Sequence, residues 1–312
     1  MRIERLSMPH TRFAMTTVAA ALMLAAPTRG AAQERVRVIT TIPDLAAIAK
    51  AVGGDLVEVE SIARGYQDPH YVEAKPSYVV KTSRADLVLY VGMQLEIGWL
   101  PLLLQGSRNP DLQTAALSEG IDALQVPEGE VSRRFGDIHP EGNPHYWLDP
   151  RNGSKIANHI ATHLKEHLPG TTHGRIDENL QAFTAELERR IPEWELRLAP
   201  WRGLKVVAYH QQFEYFCAFA GWEAVEYIEE KPGVPPSPRH IAELERKMGS
   251  EGIGTVISSN FIDPRIPGRI AERAGAVHLV LPASVEGERG IDDYFDLFDY
   301  IVTSVEESLP GR

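Results

Sequence analysis

Three histidines carry the chemistry that this sequence offers: His70, His145 and His210. His145 lies in the stretch Gly142-Asn143-Pro144-His145-Tyr146-Trp147-Leu148-Asp149-Pro150, between two prolines. Proline fixes its own backbone and restricts the residue before it, so the flanking prolines predict a stiff, extended loop at His145. A neutral imidazole held in place before the ion arrives is what a metal site needs. His70 follows Gln67-Asp68-Pro69 and His210 follows Ala208-Tyr209, each at or just beyond the end of an apolar run that reads as a strand. Any one of them alone reads as a hydrogen-bonded structural histidine. Three strand-end histidines, spaced 75 and 65 residues apart, point instead to one shared ion. Three imidazoles suit Zn²⁺ and leave a fourth position for a carboxylate or water. Because they bind in neutral form, metal uptake releases protons and affinity falls in acid.

The elements that must position these side chains alternate in type. Strands are predicted over Val36 to Thr40, Leu56 to Ile62, Ala85 to Val91 and, more weakly, Leu112 to Leu117. Helices are predicted over Pro43 to Val52, from Pro76, over Ile97 to Gln105 and over Pro150 to Leu168. The stretch Ile176 to Trp201 keeps helical periodicity far beyond the usual helix length, with Pro192 expected to bend it. Beyond it the pattern repeats. Strands fall at Lys205 to Tyr209, Ala224 to Glu229, Thr255 to Ser259 and Val277 to Leu281; helices fall at Gln211 to Ala220, Pro238 to Met248, Pro264 to Ala274 and Asp292 to Leu309. Fully apolar strands alternating with helices predict parallel sheets covered on both faces. The fold class is α/β: two β/α lobes joined by one long helix, with a metal cleft between them. The expected divisions are residues 33–170, 171–202 (the linking helix) and 203–312. In open α/β sheets ligands bind beyond the carboxyl ends of the strands, where all three histidines stand.

The first 32 residues do not fit that pattern. Arg2, Arg5 and Arg12 precede the apolar run Phe13 to Pro27, and Gly30-Ala31-Ala32 offers a small-residue cleavage site. This is the layout of a cleaved signal peptide, with an apolar part short for a membrane span. Cleavage would move the net charge from −11 to about −14, acidic enough to argue against nucleic acid or anionic lipid as partners. Cys217 is the only cysteine, which excludes an intramolecular disulfide, a cysteine zinc cluster and a lipid-modified cysteine at the cleavage site. In a bacterial envelope protein this combination points to the periplasm, and the chain is expected to act as a monomer.

These residues resemble the metal-specific solute-binding proteins of bacterial ABC transporters for zinc and manganese (the cluster A-I type). The resemblance covers nearly all of the chain beyond residue 32. It is carried by Asp68-Pro69-His70 with Lys75-Pro76-Ser77, by Asn143 to Pro150, and by His210 with Phe213 and Tyr215-Phe216. It implies that His70, His145 and His210 are metal ligands, that the cargo is Zn²⁺, and that a membrane permease of an ABC transporter receives it. The histidine at the third position follows the zinc binders, since manganese binders often carry glutamate there. The resemblance also implies two lobes joined by a long helix. Two features depart from it. The family's usual fourth ligand, an aspartate after the last strand, corresponds here to Ala283, leaving water first and then a carboxylate such as Glu229, Glu230, Glu286 or Asp292. The stretch from Pro127 to Pro144, histidine-rich in many zinc binders, holds before His145 only His139.

Other readings compete for the same residues. His159, His163 and His167 share one face of a helix at metal-binding spacing, but they flank an apolar stripe and read as a solvated shoulder. His139 reads as a surface-loop histidine with an auxiliary-ligand alternative. Glu214, one turn after His210, either orients an imidazole or is solvated. The run Lys231 to Pro238 reads as a rigid turn and a helix start. As alternatives in function, a Mn²⁺ or Fe²⁺ binder of the same family shares every motif. A three-histidine zinc hydrolase or hydratase shares the ligand set but lacks an HExxH signature, and no catalytic residue is assigned. An adhesin or organic-chelate binder would need a broad aromatic or basic cleft.

Overall fold

The computed structural model describes residues 35–129 and 139–311, together with Met1. The expected signal segment, and the middle of the stretch Pro127 to Pro144, lie outside the described residues.

The first lobe is built on β1 (Val36–Thr40), β2 (Val57–Ser61), β3 (Leu87–Tyr90) and β4 (Gln113–Ala116). They form one parallel sheet in the order β2-β1-β3-β4. The second lobe repeats this arrangement with β5 (Lys205–Ala208), β6 (Glu223–Tyr227), β7 (Thr255–Ser259) and β8 (Val277–Leu281), in the order β6-β5-β7-β8 and again all parallel. The central strands β3 and β7 are almost wholly buried, as sheets covered on both faces require, β3 with apolar side chains and β7 with Val256 and Ile257 beside buried Thr and Ser hydroxyls.

Helices start where the sequence supplies an entry residue. Proline stands at the first turn of α1 (Pro43–Gly53) and α2 (Pro76–Arg84), where its missing N–H costs nothing. α3 is shorter at its front than the periodicity predicts, Leu100–Ser107 rather than from Ile97. An earlier start would require an N–H from Pro101 to reach the Ile97 carbonyl, which proline cannot supply. The segment predicted as one helix from Pro150 divides into a 3₁₀ turn, Pro150–Asn152, and α4 (Gly153–His167).

The long helix is α5, His173–Leu198, with Pro192 inside it. It packs on α1 and α4 of the first lobe, and on α6 (Glu214–Ala220) and α9 (Tyr294–Ser308) of the second. α9 opens with a capping box between Asp293 and Asp296. Ser237 caps α7 (Pro238–Glu251), and α8 spans Arg265–Ala274. The largest buried apolar cluster contains residues of both sheets, Val38 and Leu89 with Val206 and Leu281 among them. A smaller cluster lies wholly in the second lobe, around Val207, Leu244 and Val256. No described helix is long and apolar enough to cross a membrane.

Candidate metal centre

The three histidines sit beyond the carboxyl ends of strands, on segments after β2, β4 and β5. Each offers a ring nitrogen, and the three nitrogens lie within 4.8 Å of one another. The ring centroids are 5.1, 5.5 and 5.6 Å apart.

Two of the histidines are held by the same local device. In Asp68-Pro69-His70, Asp68 Oδ1 accepts the His70 backbone N–H at 2.9 Å and bonds its Nδ1 at 2.8 Å. In Asn143-Pro144-His145, Asn143 Oδ1 accepts the His145 backbone N–H at 2.9 Å and bonds Nδ1 at 2.9 Å. An acceptor two residues upstream thus fixes both the turn and the imidazole. His145 itself is not extended, contrary to expectation. With φ −81° and ψ 34° it caps a 3₁₀ turn, Tyr146–Leu148, because closing the Asn143 bonds bends the chain back. Asp149, before Pro150, does adopt the extended backbone that proline imposes.

His210 has no such neighbour. Its Nδ1 lies 2.9 Å from Oε2 of Glu229, which follows β6 and also accepts from the Gly233 backbone. A carboxylate only accepts, and the Asn143 amide nitrogen is already donating to Gln125, the Gln211 carbonyl and Glu214. All three Nδ1 atoms are therefore N–H donors, and in the neutral ring each Nε2 carries the lone pair. The Nε2 of His145 is buried without a hydrogen-bond partner, a costly state for a polar atom unless a cation claims it.

The electrostatics suit a dication. Burial, reinforced by the neighbouring imidazoles, drives His145 well below the usual histidine range and keeps it neutral. For His210, burial pulls downward, but the Glu229 hydrogen bond and the charges of Glu229, Asp68 and Glu214 outweigh it and raise the imidazole. For Asp68, burial pushes upward, but its bonds to His70 prevail and hold the carboxyl below its ordinary value. The Asp68 and Glu229 carboxylates, one from each lobe, form an outer ring able to balance a 2+ ion.

Of the carboxylates considered for a fourth position, Glu229 is the one with a hydrogen bond to a site imidazole among the described residues, and it uses Nδ1, not the metal side. Glu230 is exposed, Glu286 lies in a turn with φ +60°, and the Asp292 backbone N–H donates to Asp296. Ala283 is buried, and its carbonyl accepts from Trp147 Nε1. Glu214 is neither solvated nor the orienter of His210: it is buried against Asn143, and burial pushes its carboxyl up to about 7. His139 comes closer than a surface-loop residue should, with Nε2 3.3 Å from His70 Nε2. His163 and His167 bond to Glu166 and to the His163 carbonyl, and His159 is half-buried, as a helix shoulder requires.

The roles of Asp68 and Asn143 were missed by sequence reasoning, although the repeated Asx-Pro-His pattern was available to signal them.

Residues 38–308 match the family described as ZnuA, zinc-uptake complex component A, periplasmic. The chain belongs to this family. It is thus a metal-binding substrate-binding protein of an ABC transporter, not an enzyme. Among relatives, it is 26% identical over 289 residues to the manganese ABC transporter substrate-binding lipoprotein PsaA of Streptococcus mitis, covering 89% of this chain and 91% of that protein. It is also 26% identical to the iron-binding protein YfeA of Yersinia pestis, covering 98% and 99% of the two. A crystal structure of ZnuA superposes with a TM-score of 0.75 at 25% identity, over 88% of this chain and 99% of that one. A zinc-bound ZnuA carrying a deletion of residues 138–173 in its own numbering shares the fold, with a TM-score of 0.76 at 24% identity, over 89% and 100%.

Proposed function

We propose that the protein captures Zn²⁺ in the periplasm and delivers it to the membrane permease of an ABC importer, with His70, His145 and His210 as ligands through Nε2. The observation that carries this reading is the state of the three imidazoles. Each has Nδ1 committed to an oxygen acceptor, and the remaining nitrogens converge from both lobes. A nitrogen-only set favours a borderline ion over the harder Mn²⁺, which prefers oxygen. The protein acts as a monomer, residues 1–32 are a signal peptide removed on export, and the lobes divide near residues 170 and 203.

The names of PsaA and YfeA, a manganese and an iron protein, favour a second reading in which the cargo is Mn²⁺ or Fe²⁺. Metal analysis of the protein taken from its own cell envelope, with a Zn²⁺/Mn²⁺ competition titration, decides between them. Zinc in the isolated protein and a strong zinc preference in vitro are expected. Manganese in the isolated protein, with zinc displaced by it, would overturn the zinc assignment. His210→Glu, which replaces an imidazole with a hard oxygen, should shift the competition toward Mn²⁺.

A further inference from the structure

A fourth imidazole stands beside the three. His139 lines the same cleft as His145 and His210, and its Nε2 is 3.3 Å from Nε2 of His70. Since His70 gives its Nδ1–H to Asp68, the nitrogen that faces His139 is the one that carries the lone pair in the neutral ring. In a tetrahedral site with metal–nitrogen bonds of about 2.0–2.1 Å, neighbouring ligand nitrogens are about 3.3–3.4 Å apart. The His70–His139 pair already has that spacing.

The backbone of His139 is anchored. Its carbonyl accepts the Gly142 N–H at 3.1 Å, and the next residue, Asn143, donates its backbone N–H to the Leu124 carbonyl at 2.8 Å. Gly142 has φ +105°, and a Cβ there would meet Ala123 Cβ and the Leu124 oxygen, both at 2.9 Å. Only glycine lets this turn lie so close to residues 123–126. The turn therefore holds His139 at a set distance from Asn143, the residue that orients His145.

We propose that His139 is a fourth metal ligand, closing a four-imidazole site on Zn²⁺ in place of water. The proposal rests on the three-histidine reading above. His139 stands outside the group of three nitrogens within 4.8 Å of one another, so ligation also requires its ring to swing toward His145 and His210. A closed tetrahedral nitrogen set suits Zn²⁺, whereas Mn²⁺ favours oxygen ligands and octahedral geometry. His139 then acts as a specificity residue as well as a ligand.

X-ray absorption on the zinc-loaded full chain, compared with His139→Ala and His139→Gln, counts the imidazoles directly. Four are expected in the wild type, and three with one oxygen or amide ligand in the variants. Zinc affinity should fall by at least about tenfold, the lower end of what losing even an outer partner costs a metal site. Manganese affinity should change less, so zinc selectivity narrows. Three imidazoles in all three proteins would overturn the proposal. So would tighter zinc binding in His139→Ala, which would mean that His139 donates to His70 Nε2 and blocks the site. A wild type that takes up no zinc at all sinks the underlying three-histidine reading, a failure distinct from these.

Discussion

At the scale of single residues, orientation of the imidazoles decides what the site can do. Two copies of Asx-Pro-His solve the problem locally, with one oxygen accepting both the backbone N–H and Nδ1–H. The third histidine borrows Glu229 from the neighbouring strand end. Removing the oxygen frees the ring to rotate and to place its proton on Nε2, where a metal must bind. Asp68→Ala should therefore weaken zinc binding by roughly 10- to 100-fold. Asp68→Asn, which keeps an acceptor of the kind Asn143 uses, should fall between that variant and the wild type. Competition titration against a chelator measures both. Equal affinities for Asp68→Ala and wild type would show that the Asp68 bond does not hold the ligand. The three ligand candidates were legible because histidine beyond an apolar strand is conspicuous in the chain. Glu229 as the partner of His210 was not, since that pairing depends on β5 and β6 lying side by side, 19 residues apart in sequence.

At the scale of elements, strand and helix order followed from apolar periodicity, because the inner strands β3 and β7 are buried on both faces and each long helix on one. Boundaries slipped where local bonding outweighs periodicity: α3 starts late at Pro101, and α6 starts at Glu214 because residues 210–213 turn to carry the site. The apposition of loops was illegible. The loop leading from β2 toward His70 touches the loop after β8 at Gly65, where a Cβ would come within 2.0 Å of the Val285 carbonyl oxygen and 2.3 Å of the Gly287 nitrogen. Both obstacles are backbone and neither can rotate away. Gly65→Ala should force the two loops apart, destabilise the fold by about 1–3 kcal/mol as overpacking does, and weaken zinc binding through the His70 segment. Denaturant unfolding and zinc titration of the variant test this, and a variant matching wild type in both would mean that the loops yield freely.

At the scale of the whole molecule, the lobes are joined by polar contacts as well as by α5. Asp44 at the start of α1 is fully buried and accepts from the Ser284 hydroxyl and the Val285 N–H of the second lobe. Burial raises its carboxyl from 3.8 to about 7. A raised carboxyl favours the fold in its protonated form. That contribution is complete below the unfolded value of 3.8, declines as pH rises, and is gone above about 7. Moving a carboxyl from 3.8 to about 7 corresponds to at most about 4 kcal/mol. Asp44→Asn imitates the protonated acid at every pH, so wild type should lose stability relative to the variant between about pH 4 and 7, measured by denaturant unfolding across that range. A constant difference would show that Asp44 does not titrate there. Metal should stabilise the same assembly: zinc at 100 times its dissociation constant adds about 2.7 kcal/mol by mass action, visible as an upward shift in thermal unfolding that a chelator reverses. The central claim is that one ion is held across the cleft by imidazoles from both lobes, and His210 is the ligand the second lobe contributes to the group of three. The most direct measurement is the zinc dissociation constant of wild type and His210→Ala by chelator competition. One zinc per chain in the wild type, and a loss of at least about 100-fold in the variant, are predicted. Equal affinity in the two proteins would contradict the cross-cleft site.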